Sequence, residues 1–172
     1  FDDSIDYYNK YLDIDPFNHS VWYNLGITYN RMGMFEKAIE AYDFSITLNE
    51  DFLHAHFNKA NAMANNCQYD DAIACYLEYL KLDHENDDAY CYLAECYLNT
   101  DKYSDALVYY QKAIRLNESN SSAWYGSGLI MWSEGEFADA LVFFKKAISI
   151  EEDNPDFWSM AAKVYAELNQ VK

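Results

Sequence analysis

The chain has 172 residues and a formal net charge of −17 at pH 7, and 51% of its residues are hydrophobic, which is ample for a folded core. Acidic residues are spread along the chain, and no basic stripe is present. Because phosphate backbones and anionic lipid surfaces attract lysine and arginine, this charge argues against nucleic acid as a partner and against direct membrane binding.

The sequence repeats itself every 34 residues. A fixed period of this length predicts an array of similar units, each of which buries its apolar face against its neighbours. Three repeat positions show the period: alanine at Ala38, Ala72, Ala106 and Ala140; an aromatic residue at Tyr8, Tyr42, Tyr76, Tyr110 and Phe144; and a bulky residue at Trp22, His56, Tyr90, Trp124 and Trp158.

Taken in chain order, the predicted elements are all helices, because apolar residues recur at helical spacing and no alternating strand pattern occurs. Each full unit is predicted to be a first and a second helix joined by a tight turn, and Gly33 fits the left-handed residue that commonly closes a helix. The predicted helices span 2–14, 20–32, 36–48, 54–66, 70–82, 88–100, 104–116, 122–134, 138–150 and 156–169. The first of these is a lone second helix, and the last is a lone first helix.

The unit 19–52 carries a motif that resembles the tetratricopeptide repeat (TPR). Its residues are Trp22, Leu25, Gly26 and Tyr29, then Gly33, Ala38, Tyr42, Ser45 and Ile46. The unit 53–86 departs most from the pattern, with His56, Lys59, Met63 and Cys67 at positions where the family prefers tryptophan, leucine, tyrosine and glycine.

The resemblance implies an all-α fold, a right-handed superhelical solenoid of antiparallel helix pairs with about ten helices. We expect one TPR array over 1–172, in which 1–18 is the second helix of a truncated repeat and 155–172 is a terminal helix. The full repeats are 19–52, 53–86, 87–120 and 121–154. Repeat positions are numbered below from residues 19, 53, 87, 121 and 155.

No catalytic constellation is recognisable, so we expect no enzyme activity, no metal site and no cofactor. His54 and His56 are two residues apart and point away from each other on a helix. The cysteines form no CxxC pair, which predicts reduced thiols that bind no metal and favours a cytoplasmic location. They are Cys67, Cys75, Cys91 and Cys96.

The resemblance also implies that the first helices line a concave groove, which makes the chain a non-catalytic protein–protein interaction module for an extended peptide or protein segment. Asn24 and Asn58 occupy the same position in adjacent repeats, and amides can donate to and accept from a peptide backbone. The alternative is that these asparagines are only consensus residues. The predicted groove residues are Tyr23, Asn24, Phe57, Asn58, Asn61, Asn65, Tyr92, Tyr125, Leu129 and Trp132.

The predicted ligand is neutral to basic, because the groove positions include the acids Asp88, Glu95, Asp156 and Glu167. It is also partly apolar, because the groove positions of the last full repeat carry no charge at Tyr125, Gly126, Leu129 and Trp132. Some TPR domains hold the C-terminal carboxylate of a heat-shock chaperone with lysine, asparagine and arginine. We exclude that ligand because the corresponding positions lack a cation. They are Tyr23, Ile27, Asn58, Asp88 and Tyr92.

A structural scaffold that assembles through its ends or convex face, with itself or with the rest of a larger protein, is the alternative function. An exposed aromatic groove favours peptide binding, whereas apolar patches at the ends favour assembly. Segment 1–14 lacks its own first helix, so we expect self-association or fraying at this N-terminal edge. The final helix is expected to have the more polar outer face.

Overall fold

The computed structural model describes residues 2–170 and the side chains of 3–169, and within that range it contains ten α-helices and no strand. The predictions of an all-α fold and of about ten helices are therefore confirmed, and each helix lies within two residues of its predicted range. Residues 1, 171 and 172 of the predicted array lie outside the described residues. The helices are α1 Asp2–Leu12, α2 His19–Arg31, α3 Phe35–Leu48, α4 Leu53–Asn65, α5 Tyr69–Leu82, α6 Asp87–Asn99, α7 Tyr103–Leu116, α8 Ser121–Ser133, α9 Phe137–Ile150 and α10 Pro155–Gln170.

The helices group into two compact units, 1–84 with α1 to α5 and 85–172 with α6 to α10. In each of the four full repeats, the first helix packs against the second helix of the same repeat. The single array over the whole chain stays a prediction. The core of each repeat is the buried aromatic residue of the second helix, which is Tyr42, Tyr76, Tyr110 or Phe144, each at most 1% exposed.

Small residues on the first helices make room for these aromatic rings. A Cβ built on Gly26 would lie 2.6 Å from Cε1 of Tyr42, and one built on Gly128 would lie 2.7 Å from Cε1 of Phe144. The alternation of a small residue with a large ring thus sets the spacing between the paired helices.

The turn inside each repeat has the same geometry four times. The residue at repeat position 15 has a positive φ: 71° at Gly33, 58° at Cys67, 58° at Asp101 and 82° at Gly135. The next backbone N–H donates to the carbonyl five residues earlier, as from Met34 to Tyr29 at 2.9 Å, which is the Schellman motif. The turn therefore persists where the sequence has no glycine.

Replacing Cys67 by glycine should stabilise the protein by about 0.5–1 kcal/mol. A left-handed conformation costs an L-residue roughly 1–2 kcal/mol, which glycine avoids. The greater conformational freedom of glycine in the unfolded chain reduces this gain in stability by about 0.4–1 kcal/mol. Urea denaturation measures the difference. Cys67→Ala is the control, since it removes the thiol and keeps the strained conformation; equal stability of the two variants would contradict the prediction.

The structure also explains how the repeat 53–86 keeps the same helix packing although its residues differ from the family pattern. The indole N–H donates to a carbonyl six residues earlier at Trp22, Trp124 and Trp158, over 2.8–2.9 Å, and Nε2 of His56 makes the same contact with the carbonyl of Glu50 at 2.7 Å. Lys59 replaces leucine and pairs with Asp43 of α3 at 2.6 Å. His56 is thus a packing residue at the bulky position of the repeat.

Candidate peptide-binding surfaces

Two surfaces are described separately, because the predicted groove residues fall in different compact units. The unit 1 surface comprises Tyr23, Asn24, Phe57, Asn58, Asn61 and Asn65, on α2 and α4. The unit 2 surface comprises Tyr92, Tyr125, Leu129 and Trp132, on α6 and α8.

A side-chain hydrogen bond joins the two first helices of unit 1. Nδ2 of Asn58 donates to the hydroxyl of Tyr23 over 2.9 Å. The ring of Tyr23 is held edge-on by Phe52, with ring centroids 5.0 Å apart. Burial raises the pKa of Tyr23, although the bond from Asn58 opposes the shift, so this phenol stays neutral at physiological pH.

Of the other amides on the unit 1 surface, one accepts a hydrogen bond within the protein and two are exposed. The hydroxyl of Tyr76 donates to Oδ1 of Asn61, which leaves the NH₂ group of that amide to donate elsewhere. Asn24 and Asn65 are exposed. Phe57 lies against the rings of Tyr76 and Tyr79 and is half-buried.

The predicted row of asparagines is thus not uniform. Asn58 bonds to Tyr23 of the preceding repeat, and this contact was not foreseen from the sequence. A signal for it exists, because a tyrosine at position 5 is followed one repeat later by an asparagine at position 6. Two exposed amides, Asn24 and Asn65, and two partly engaged amides, Asn58 and Asn61, remain available to a ligand.

The unit 2 surface is apolar and partly exposed. Tyr92 is 39% exposed and Trp132 is 38% exposed. Tyr125 is half-buried between Phe144 and Phe157, with ring centroids 5.6 and 4.8 Å apart, and Leu129 packs in the same cluster. Two of the four predicted residues therefore present aromatic surface, and the other two support the core.

Glu95 on α6 is a residue whose environment the sequence did not reveal. It occupies position 9, where the other full repeats have Ile27, Asn61 and Leu129. Burial raises the pKa of Glu95 to about 7. A carboxyl group with this pKa changes charge near physiological pH, which sets it apart from the solvated acids of the chain.

A further pocket of about 320 Å³ in unit 1 is lined by Ile46, His56, Lys59, Ala74, Cys75 and Glu78. Burial raises the pKa of Cys75, an effect that Lys59 only partly opposes, and the sulfur lies 3.5 Å from Sδ of Met63. The thiolate needed for nucleophilic chemistry is therefore disfavoured in this pocket.

All four cysteines are free. Among the described residues, no group of three or more histidine, cysteine, aspartate or glutamate side chains lies close enough together to hold a metal ion. Within the described part of the chain, no helix has both the length and the apolarity to cross a membrane.

The fold and the first-helix surfaces define the class of proteins built from stacked antiparallel helix pairs. Models of the tetratricopeptide repeat match residues 19–52, 87–120 and 131–172. The chain belongs to the TPR family. The matched ranges leave out 53–86, the unit that departs most from the repeat pattern.

Solved structures show the same fold. The crystal structure of MamA matches with a TM-score of 0.81 and 28% identity over 86% of this chain and 86% of its own. The structure of YrrB, described as a TPR protein with an unusual peptide-binding site, has a TM-score of 0.72 and 22% identity over 94% of this chain and 84% of its own. The first TPR domain of Spaghetti (RPAP3), bound to the HSP90 peptide SRMEEVD, has a TM-score of 0.65 and 21% identity over 68% of this chain and 93% of its own. The predicted TPR solenoid fold is confirmed, and it is the fold of a non-catalytic protein-interaction scaffold. No curated protein matches the chain.

Proposed function

We propose that the chain binds an extended peptide or protein segment through its first helices, and that the unit 1 surface provides the backbone contacts. The observation that carries the proposal is the Tyr23–Asn58 hydrogen bond, which fixes Asn58 beside the preceding repeat. Asn58 retains its Oδ1 acceptor and a second N–H, and Asn24 is exposed. Amides in these positions can form hydrogen bonds with the N–H and C=O groups of a peptide backbone, whatever the sequence of the peptide.

The proposed ligand is neutral to basic and partly apolar. Each full repeat has a net charge of −3 or −4, which favours cationic side chains near the surface. The exposed rings of the unit 2 surface offer apolar contact. Two structural relatives, YrrB and the first TPR domain of RPAP3, are described as having a peptide site or a bound peptide, and this supports the same general role here.

A chaperone C-terminal carboxylate does not fit this proposal. Where some TPR domains supply lysine or arginine at positions 2 and 6 of one repeat, this chain has the exposed acid Asp88 and the exposed tyrosine Tyr92. The carboxylate of Asp88 repels an anionic ligand end. Of the residues in the best-matching frame, only Asn58 has a side chain of the type used by such a site.

Peptide binding is tested with a ligand selected from a random peptide library displayed on phage and measured by calorimetry. The double substitution Asn24→Ala with Asn58→Ala should weaken binding roughly five- to a hundredfold, because each lost hydrogen bond is worth about 0.5–1.5 kcal/mol. Asn24→Ala alone is the cleaner variant, since Asn58→Ala also frees the hydroxyl of Tyr23.

Asn9→Ala is the matched control, because Asn9 is an exposed asparagine on α1, outside both surfaces. It should leave the affinity unchanged. Unchanged affinity in a folded double variant would place the peptide elsewhere. Failure of the library to yield any ligand would favour assembly as the role of the chain.

A further inference from the structure

Glu95 on α6 carries a carboxyl group to which the protein gives no partner. Its side chain is half-buried, and among the described residues no hydrogen bond or ion pair reaches the carboxylate. Asn99 donates to the backbone carbonyl of Glu95 instead. Polar groups that are withdrawn from water normally have a partner, because an unpaired charge there costs free energy. The unpaired carboxyl group therefore indicates a contact that the chain alone does not make.

Repeat position 9 has no such unpaired group in the other full repeats. Ile27 and Leu129 are apolar there and pack against hydrophobic clusters. Asn61 is polar, but it accepts a hydrogen bond from the hydroxyl of Tyr76 in the same repeat. An unpaired carboxyl group on the first helix is thus specific to the repeat 87–120, and packing of the fold does not require it.

The helices around Glu95 do not supply a positive charge. Helices α6 and α8 contain no lysine or arginine. On α7, Nζ of Lys112 lies 5.4 Å from the ring centroid of Tyr90 and 4.9 Å from that of Tyr109, so this cation is engaged with aromatic rings. A cation that pairs with Glu95 therefore has to come from a ligand.

Tyr92 and Asp88 lie on the same face of α6 as Glu95. Tyr92 precedes Glu95 by three residues and follows Asp88 by four, which is the spacing that brings side chains of a helix together. Burial raises the pKa of Tyr92, and the carboxylates of Asp88 and Glu95 add to the shift, so the phenol lies near both acids. The side chain of Tyr92 is 39% exposed. An exposed ring beside a carboxylate offers a cation both an ion pair and a ring face.

We propose that Glu95 binds a basic side chain, arginine or lysine, of the segment that occupies the unit 2 surface. This inference rests on the proposed function and adds to it a subsite for one kind of ligand residue. The carboxylate of Glu95 accepts hydrogen bonds from the cation, and the ring of Tyr92 packs against the rest of the basic side chain. Asp88 is exposed one turn before Tyr92 and attracts the cation to the subsite.

Peptide selection on two proteins tests the subsite. The wild type and Glu95→Gln are each used to select from the same random peptide library displayed on phage. Peptides selected on the wild type should share an arginine or lysine at one position, and those selected on Glu95→Gln should lack this preference. Wild-type peptides without a shared basic residue would overturn the subsite and leave peptide binding intact, whereas a library that yields no peptide would overturn both.

Calorimetry with a peptide selected on the wild type then measures the contact itself. Replacing the shared arginine of the peptide by citrulline, or its lysine by acetyl-lysine, removes the charge and nearly keeps the shape. This change should weaken binding to the wild type roughly ten- to a hundredfold, as expected for a hydrogen bond to a charged group. Binding to Glu95→Gln should change by less than about threefold, because the partner of the cation is already absent. An equal loss with both proteins would overturn the proposal.

Glu152→Gln is the matched control, because Glu152 is an exposed glutamate in unit 2, between α9 and α10 and outside the unit 2 surface. It removes the same charge and should bind the peptide like the wild type. If it weakened binding as much as Glu95→Gln does, net charge would explain the effect and the proposal would be wrong. Circular dichroism verifies that both variants remain folded.

Discussion

Replacing Glu95 by glutamine should raise the free energy of unfolding at pH 8 by about 3 kcal/mol. Burial raises the pKa of Glu95 from 4.5 to about 7 in the folded protein, and each pKa unit corresponds to about 1.36 kcal/mol. Above pH 7 the folded state must hold a half-buried, desolvated carboxylate, whereas the unfolded chain keeps the same group in water. Glutamine removes this cost because it is neutral at every pH.

The pH dependence of the gain in unfolding free energy tests whether the charge of Glu95 is its cause. Between about pH 4.5 and 7 the native protein keeps the Glu95 proton that the unfolded chain has released, so the contribution of this group to stability falls as pH rises through that range. The gain from Glu95→Gln should accordingly vanish near pH 4 and reach its full size above pH 7, as measured by urea denaturation at each pH. Glu40→Gln, at an exposed position on α3, is the control and should show no such trend.

The residues around Glu95 do little to stabilise its ionised form. Burial also raises the pKa of Cys91, Cys96 and Tyr110, and in each case the Glu95 carboxylate adds to the shift. These neighbours remain neutral and supply no positive charge. A basic ligand side chain that reached Glu95 would favour its ionised form, so binding of such a ligand should release the proton of Glu95 at pH 6.

Much of the fold can be predicted from the sequence because the same pattern of apolar, small and aromatic residues recurs in each repeat. Periodic apolar residues located all ten helices, and Gly26 and Gly128 occupy one repeat position, at which the structure brings the paired helices close together. Asp101 shows a limit of this reasoning. It adopts the left-handed turn conformation with a φ of 58°, and only its place in the repeat, 34 residues after Cys67, indicates this.

The candidate surfaces were less predictable because they depend on contacts between repeats. The sequence placed Tyr23 and Asn58 on the same predicted surface, but not their hydrogen bond. It named Glu95 as one of several acids, although its burial distinguishes it from the exposed acid Asp88. Burial depends on how neighbouring helices pack, and the spacing within one helix does not determine it.

Replacing Gly126 by alanine should destabilise the protein by about 1–3 kcal/mol, the usual range for overpacking a close-packed core. A Cβ on Gly126 would lie 2.2 Å from Cζ and 2.5 Å from Oη of Tyr110. Tyr110 is only 1% exposed and cannot swing into solvent. Either the ring or helix α8 must therefore move, and the loss exceeds the roughly 1 kcal/mol that alanine gains over glycine in a helix.

Gly128→Ala on the same helix provides a control with identical chemistry. A Cβ there would lie 2.7 Å from Cε1 of Phe144, but Ala60 and Ala94 already occupy this repeat position, which shows that the packed helices accommodate a methyl group. Thermal or urea denaturation should thus find Gly128→Ala close to wild type and Gly126→Ala clearly weaker. Equal stability of the two variants would mean that Tyr110 yields to the methyl group. Position 6 carries Asn24 and Asn58 in unit 1, whereas at Gly126 the core ring of Tyr110, from the preceding repeat, fills the space that a side chain would need.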